Sequence, residues 1–298
     1  LVAGAGALYL AEFWSWQVSY EVMAALVGVG ALTVLIVREP SVNHFAAAQD
    51  IAHKIEQEAA KLTHLNPRLA RLVGWFYAAV AGPFLDFFRR YKELALIILL
   101  MVAVYRISDI AMGVMANPFY LDFMGFSKTQ VADVTKIFGF LMTIAGSLVG
   151  GVMVVRYGVR RILLLGAIMT AATNLLFVVL AQYPPNIITL AAVVSADNLS
   201  GGIANVALIA WLSSMTSASF TATQYALFSS LMTLPGKFIG GFSGIVVAGF
   251  GYAEFFLVAG IMGVPAILLA IFMIRHGDRL DALAPRHESK PDAEAVSS

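Results

Sequence analysis

The chain of 298 residues contains no cysteine. This absence excludes disulfide bonds, thiolate metal sites and a cysteine nucleophile within the sequence. Histidine is scarce as well, and all of its occurrences lie in polar stretches: His44, His53, His64, His276 and His287. Imidazole is the usual ligand of haem and of catalytic zinc. We therefore expect no metal site and no cofactor in the apolar parts of the chain.

Charged residues are also scarce in this chain. Only 12% of the residues are charged, whereas 60% are hydrophobic and the mean hydropathy is +0.83. Soluble domains carry about 25% charged residues, so this balance predicts a polytopic membrane protein whose main environment is the lipid bilayer. The formal net charge of +1 gives no sign of a nucleic-acid partner.

Long apolar runs fill most of the chain. A membrane-spanning helix needs ~20 such residues. Residues 1–11 have the composition of the end of a span, and residues 17–37 form a complete one with Trp14, Trp16 and Tyr20 at its outer end. Six further runs, which we number spans 1 to 6, cover residues 93–116, 130–153, 161–182, 187–214, 222–249 and 253–274.

Lysine and arginine residues predict the orientation of these spans. Of the 19 basic residues, 15 fall in 38–92, 156–161 or 275–298. The other four are Arg106, Lys136 and Lys237 inside the spans and Lys128 in an outer loop. Loops rich in Lys and Arg stay on the cytoplasmic side. We therefore expect these three segments, including the C-terminal tail, to be cytoplasmic.

The stretch 38–92 is predicted to be a cytoplasmic linker. Its residues 44–62 have the pattern of a polar helix, and its apolar residues 72–88 contain Pro83 and Asp86. A span at 72–88 would move the basic loop 156–161 to the outside. We expect instead a helix in the membrane interface, with these aromatic residues entering the lipid: Trp75, Phe76, Phe84 and Phe88. The polar tail 275–298 has the composition of a disordered segment.

The order of these segments predicts an all-α membrane protein made from parts of two halves. We interpret residues 1–37 as the end of a truncated N-terminal half, because Leu1 lies inside an apolar stretch. Residues 93–274 form a complete six-span C-terminal half. Many transporters consist of two such halves around a site near the middle of the membrane.

Ionisable residues inside the apolar runs are the main functional signal. Arg106 and Asp109 lie in span 1, Lys136 in span 2, Asp197 in span 4 and Lys237 in span 5. A charge at the membrane centre costs about 2.5–3.5 kcal/mol on insertion scales, so such side chains normally face a polar interior. We therefore expect spans 1, 2, 4 and 5 to surround a solute pathway and the uncharged spans 3 and 6 to be peripheral.

Arg106 and Asp109 are three residues apart and share a helix face. They form either a structural pair or a coupling device, in which protonation of Asp109 frees Arg106 to bind a solute. By its depth in span 2, Lys136 is another possible partner of Asp109. Asp133, one turn away, is a possible partner of Lys136.

Asp197 and Lys237 lie near the membrane midplane, about 15 and 18 Å from the outer ends of their helices. They form either an ion pair between two helices or part of a substrate site. The preceding Pro235-Gly236 predicts a kink beside Lys237. The candidate amide and hydroxyl partners of a solute are Asn198, Asn205, Gln224 and Tyr225.

Two glycines and one tryptophan are predicted to have structural roles. Glycine recurs every fourth residue at Gly146 and Gly150, which allows close helix contact. Trp211, near the end of span 4, is expected to be an interfacial anchor.

Two sequence resemblances indicate a family. The segment GVMVVRYGVRR (151–161) resembles the loop motif G-x-x-x-D-[RK]-x-G-[RK]-[RK] of the major facilitator superfamily, although Val155 replaces its Asp. The matching positions, which the resemblance implies form a conformational loop, are Gly151, Arg156, Gly158 and Arg160. The longer stretches YRISDIAMGVMANPFYLDFMGFSKTQVADVTKIFG and SADNLSGG…TATQYALFSSLMTLPGKF resemble muropeptide permeases of the AmpG type.

This resemblance implies a major facilitator fold and a secondary active transporter. Such permeases import anhydromuropeptides, the GlcNAc-anhydroMurNAc peptides released in wall turnover, across the bacterial inner membrane, and they resemble proton symporters. The implied partners are the muropeptide, protons and the bilayer. Arg106, Lys136 and Lys237 are available for its carboxylates.

The same residues allow three other functions to be compared with this one. The main alternative is a related transporter of another anionic solute, such as an acyl-CoA or a peptide. A non-transporting scaffold does not account for the deep charges. An intramembrane hydrolase built on Ser243 lacks a histidine base in any span, so we predict no catalytic residues and no enzyme activity.

Overall fold

The structure, a computed structural model, describes residues 6–36, 66–77, 82–216 and 221–277. These residues are almost entirely helical and include no strand, which confirms the predicted all-α class. Four helices precede the spans: α1 (Ala7–Phe13), α2 (Trp16–Ile36), α3 (Pro67–Phe76) and α4 (Gly82–Tyr91). The predicted helix at 44–62 and most of the tail lie outside the described residues.

The six predicted spans are all present as helices that are long and apolar enough to cross a membrane. The chain is therefore a multi-pass membrane protein. Spans 1 to 6 cover Leu94–Phe123, Lys128–Tyr157, Val159–Gln182, Ile187–Met215, Gln224–Phe250 and Tyr252–Arg275.

Three spans are interrupted along their length. Span 1 divides into Leu94–Tyr105 and Ile107–Pro118 at Arg106, whose φ of -107° and ψ of 3° depart from helical values. Span 5 divides between Thr221–Gly240 and Ser243–Phe250, so the break falls after Lys237 and the helix continues through the predicted kink at Pro235. Span 6 divides between Tyr252–Ile261 and Val264–Arg275. Irregular backbone at membrane depth is tolerated where protein or a water-filled cavity covers it.

Span 2 begins with a capped turn and then widens into a π-helix. The Ser127 hydroxyl accepts the backbone N–H of Gln130 at 3.2 Å, and the side-chain Oε1 of Gln130 accepts the backbone N–H of Ser127 at 2.9 Å, which forms a capping box. Residues Ala132–Phe138 form the π-helix, and Gly139–Tyr157 complete the span. A second π-helix, Phe119–Phe123, ends span 1. Short π-helical segments often mark functional sites.

Glycines bring span 4 into contact with span 2. A Cβ atom on Gly146 would lie 2.2 Å from the Leu199 carbonyl oxygen, and one on Gly202 would lie 2.5 Å from the Thr143 carbonyl oxygen. The two backbones therefore touch directly, as small residues permit in membrane helices. On its other side span 4 packs against span 3, where Gly166 meets Ala204.

Two apolar clusters and a polar layer make up the bundle interior. We call the end that carries Arg156–Arg161 the basic end. The cluster nearest it includes Met101, Leu163, Leu208 and Trp211, and the cluster at the opposite end includes Phe119, Phe177 and Phe256. The polar layer comes between these clusters along spans 1, 3 and 4, and consists of Arg106, Ser108, Asp109, Thr173, Asn174, Asp197 and Asn205.

Helix α4 docks at the basic end instead of lying free. Phe87 and Tyr91 are buried, and Phe87 packs edge-on against Phe228 with ring centres 5.3 Å apart. Burial raises the pKa of the Tyr91 hydroxyl, which lies 3.5 Å from the Met215 carbonyl oxygen. Trp75, Phe76 and Phe88 are exposed, as an interfacial role requires, whereas Phe84 is half-buried. Their entry into lipid stays a prediction.

Two expectations about packing are wrong. Trp211 is only 1% exposed and belongs to the apolar cluster near the basic end, so it is no interfacial anchor. Span 3 is not peripheral within the bundle, because its buried Thr173 and Asn174 bond to spans 4 and 1. Hydropathy gives the depth of a residue but not the direction in which its side chain points, and this explains both errors.

The contact of spans 2 and 4 makes a prediction with a matched control. Gly202→Ala adds a methyl group against the Thr143 backbone, and overpacking of this kind costs about 1–3 kcal/mol. Gly201→Ala, at the next position, meets nothing within 4 Å and gains helix propensity. We expect thermal unfolding in detergent at a clearly lower temperature for Gly202→Ala alone. Equal unfolding temperatures would contradict the close contact.

Candidate functional site

Arg106 occupies the break in span 1 and holds two partners. Its Nη2 donates to Asp109 Oδ2, and its Nη1 donates to Asn205 Oδ1 of span 4 at 3.0 Å. The side chains of Arg106 and Asp109 are 27% and 24% exposed, so this pair is mostly buried within the protein. The ion pair thus neutralises the guanidinium within span 1, and the hydrogen bond to Asn205 connects span 1 to span 4. Of the sequence candidates, the structure brings these three into direct contact.

Asp197 lies beside this pair but has a different partner. Thr173 Oγ1 of span 3 lies 3.1 Å from Asp197 Oδ1, and Arg106 and Asp109 are close enough to act on Asp197 electrostatically. The expected ion pair with Lys237 is not formed. The side chain of Asp197 points to span 3, whereas Lys237 is exposed.

A buried hydrogen-bonded chain completes the polar layer. Asn174 Nδ2 donates to Ser108 Oγ at 2.5 Å, and Ser108 Oγ donates to the Ala259 carbonyl oxygen at 2.6 Å. Asn174 Oδ1 is buried and has no hydrogen-bond partner among the described residues. The candidates taken from the sequence missed these residues, because uncharged polar side chains barely alter hydropathy. An asparagine in the middle of an apolar run was the available signal.

Asn198 has a packing role in this structure. Its Nδ2 donates to the Val194 carbonyl oxygen at 2.8 Å, and its Oδ1 accepts from Thr143 Oγ1 of span 2 at 2.9 Å. A Cβ atom on Gly139 would lie 3.0 Å from Asn198 Nδ2. The side chain is therefore engaged at the contact of spans 2 and 4.

Two of the ionisable candidates within the spans are lysines, one in span 2 and one in span 5. Lys136 is half-buried in the π-helix of span 2, and Lys237 is exposed four residues before the break in span 5. Neither forms a hydrogen bond or an ion pair with any residue that the structure describes. The considered pair of Lys136 and Asp109 is absent, because Asp109 is bound by Arg106.

Helix α1 meets the N-terminal end of span 2. The Tyr9 hydroxyl donates to Asp133 Oδ1, so the considered partner of Asp133, Lys136, is not the one observed. Lys128 Nζ donates to the Ala11 carbonyl oxygen at 3.1 Å and lies 5.4 Å from the centre of the Trp16 ring. These contacts join the first described helix to the six-span bundle.

Gln224 and Tyr225 lie away from the polar layer. Gln224 Nε2 donates to Asp86 Oδ2 at 3.0 Å, and Asp86 pairs with Arg90 of the same helix α4. Tyr225 packs against the apolar cluster near the basic end. The structure therefore associates both residues with the docking of α4.

The loop between spans 2 and 3 is a turn of one residue. Gly158, with a φ of 86°, separates the two helices, a backbone conformation that suits glycine. Arg160, Arg161 and Ile274 help to line a cavity of about 470 Å³ there. Arg156 lies over the Tyr157 ring at 5.6 Å. Gly151 has open space around its Cα atom, and Val155, which replaces the motif's Asp, is 89% exposed.

The described residues offer no constellation typical of an enzyme or a metal centre. Within the ranges that the structure covers, no three His, Cys, Asp or Glu residues are grouped closely enough to hold a metal ion. The Ser243 hydroxyl is buried and lies 3.4 Å from the Ala111 carbonyl oxygen. This serine packs against span 1.

Comparison with known proteins identifies the family. The sequence model of the Major Facilitator Superfamily matches residues 94–297, more than half of the chain. The chain belongs to this superfamily of membrane transporters, which also argues against the hydrolase alternative.

Individual relatives show which transporters of the superfamily this chain is similar to. The putative transporter AmpG 4 of Rickettsia felis is 28% identical over 275 residues, which is 92% of this chain and 61% of the relative. The anhydromuropeptide permease of Escherichia coli K12 is 30% identical over 272 residues, which is 91% of this chain and 50% of that protein. The resemblance to AmpG-type permeases is thereby confirmed. The chain spans between half and about three fifths of the length of these relatives.

The Arg106–Asp109 pair makes a prediction about stability. Arg106→Gln leaves Asp109 without a cation, and Asp109→Asn leaves the guanidinium with Asn205 alone. Each single change should destabilise the protein by about 1–3 kcal/mol, and the double change by less than the sum, because the remaining charge is removed as well. Unfolding of the four proteins in detergent measures this coupling. Strictly additive losses would show that the two side chains do not interact.

Proposed function

We propose that this protein is part of a secondary active transporter that imports anhydromuropeptides across the bacterial inner membrane for cell-wall recycling. The proposed driving force is proton symport. Family membership supports transport, and the name of the Escherichia coli relative supports the substrate class.

The observation that carries the proposal is that Lys136 and Lys237 have no counter-ion among the residues that the structure describes. An apolar membrane protein keeps an unpaired ammonium group in a span only at a cost, so such groups normally serve ions or substrates. Lys136 lies in a π-helical segment and Lys237 precedes a helix break, where the local backbone is irregular. The carboxylates of a peptide stem are suitable partners for both. Arg106 and Asn205 add hydrogen-bond donors for amides and sugar hydroxyls.

The proposed topology follows from the positive charges. With the basic end in the cytoplasm, Arg156–Arg161, the linker and the C-terminal tail are all inside. We propose that residues 1–37 complete an N-terminal half whose other spans lie outside this sequence. The contact of Tyr9 with Asp133 then joins the two halves at the outer end of the bundle. Movement of the loop around Gly158 is part of the same proposal.

Uptake into proteoliposomes tests the proposal directly. The full-length protein should accumulate labelled anhydromuropeptide when a proton gradient is imposed, and only equilibrate it without a gradient. A panel with acyl-CoA and unrelated peptides separates the alternative of another anionic solute. Uptake of a panel member in preference to the muropeptide would overturn the substrate assignment while leaving transport intact. Absence of any transport would favour a scaffold.

Lys237 provides a prediction about recognition. Charge-assisted hydrogen bonds contribute about 1.5–3 kcal/mol, so Lys237→Ala should weaken binding of a peptide-bearing muropeptide roughly 10- to 100-fold. Binding of the peptide-free disaccharide, which has fewer carboxylates, should change much less. Calorimetry with both ligands on purified protein measures the difference.

The control for this change is Lys237→Arg, which keeps the positive charge. Because Asp197 is not bound to Lys237, the alanine variant should unfold at nearly the wild-type temperature. Equal weakening for both ligands would show that Lys237 does not meet the peptide stem.

A further inference from the structure

The Thr173 hydroxyl contacts two oxygen atoms, one in its own helix and one in span 4. The Thr173 hydroxyl oxygen lies 3.0 Å from the Thr170 carbonyl oxygen and 3.1 Å from Asp197 Oδ1. A hydroxyl group has one hydrogen and two lone pairs. The Thr170 carbonyl can only accept. When the hydroxyl hydrogen is given to that carbonyl, the Asp197 carboxyl group must supply the hydrogen of the second contact.

The charges of the polar layer favour this arrangement. It contains two carboxylates and one guanidinium, and Arg106 is bound to Asp109. A deprotonated Asp197 would therefore leave one negative charge in the middle of the bundle, next to the negative charge of Asp109. Its one hydrogen-bond partner is a neutral hydroxyl group. With a protonated Asp197, the three ionisable groups of the layer carry no net charge.

Among the described residues, no cation forms an ion pair with Asp197. The side chains of span 3 that bond in this layer, Thr173 and Asn174, are neutral. From span 1, Asp109 and Arg106 act on Asp197, and the neutral phenol of Tyr120 is also within electrostatic reach. The ionisable groups of spans 2 and 5 form no ion pair with it among the described residues: Asp133, Lys136 and Lys237.

We propose that Asp197, and not Asp109, is the carboxyl group that carries the proton in this bundle. In the state described, the proton resides on Asp197, which donates to Thr173 Oγ1, and Arg106 neutralises Asp109. When Asp197 releases the proton, its carboxylate attracts the neighbouring guanidinium. Arg106 then divides its contacts between Asp197 and Asp109, and spans 1 and 4 shift relative to each other at the helix break.

The cycle balances in protons and charge. One proton binds to a carboxylate oxygen of Asp197 from one side of the membrane and leaves from the same group to the other side. No bond other than O–H changes, and no oxidant or reductant is required. The link between this proton and solute movement rests on the proposed transport function, whereas the protonation itself does not.

Infrared spectroscopy of the full-length protein without substrate tests the protonation. At neutral pH the wild type should show the carbonyl band of a protonated carboxylic acid, which disappears as the pH is raised. Asp109→Asn should keep this band, and Asp197→Asn should remove it. The control Asp122→Asn, in the π-helix that ends span 1, should leave the band intact. A band that survives Asp197→Asn and is lost in Asp109→Asn would overturn the proposal.

Two variants of Thr173 distinguish a local effect on Asp197 from a general loss of structure. Thr173→Val removes the hydroxyl group and should shift the pH at which the band disappears, whereas Thr173→Ser should restore it. An identical titration for Thr173→Val and the wild type would contradict the role of this contact.

Transport measurements then separate the two proposals. In proteoliposomes Asp197→Asn should lower the ratio of gradient-driven accumulation to solute exchange at least tenfold. If the wild type transports no muropeptide, the substrate proposal fails, but the infrared result still decides the protonation of Asp197.

Discussion

The ion pair of Arg106 and Asp109 occupies the point where span 1 is broken, and the other polar residues are arranged around it. A guanidinium group within a membrane helix requires a counter-ion and partners for its remaining N–H groups. Asp109, one turn along the helix, supplies the charge, and Asn205 of span 4 accepts a further hydrogen bond at 3.0 Å. Arg106, the cation of this layer, is bound to Asp109. Asp197 therefore forms no ion pair with it and is hydrogen-bonded to Thr173 of span 3 instead.

The local features of this arrangement were predictable from the sequence. Apolar runs of sufficient length predicted all six spans, and a spacing of three residues predicted the pair in span 1, because helix geometry alone brings such residues together. Arg106 and Asp109 needed no knowledge of the tertiary structure.

Contacts between helices were not predictable in this way. Depth along a helix gives the height of a residue in the membrane but leaves its rotation undetermined. Lys237 and Asp197 were placed at a similar depth, yet the two side chains do not meet. Neutral polar groups such as Asn174 gave a weak signal, although their hydrogen bonds connect spans 1, 3 and 6.

The charged and polar residues of the bundle therefore fall into two groups. Paired groups hold the bundle together in its middle layer, and we propose that Lys136 and Lys237 are the groups that meet a solute. Thiol labelling in the full-length protein tests this central claim most directly, because this chain contributes no cysteine of its own. Lys136→Cys and Lys237→Cys should react with a membrane-impermeant reagent and be protected by muropeptide. Leu268→Cys, on span 6, should stay unlabelled. Equal labelling at all three positions, or none at the two lysine positions, would contradict the account.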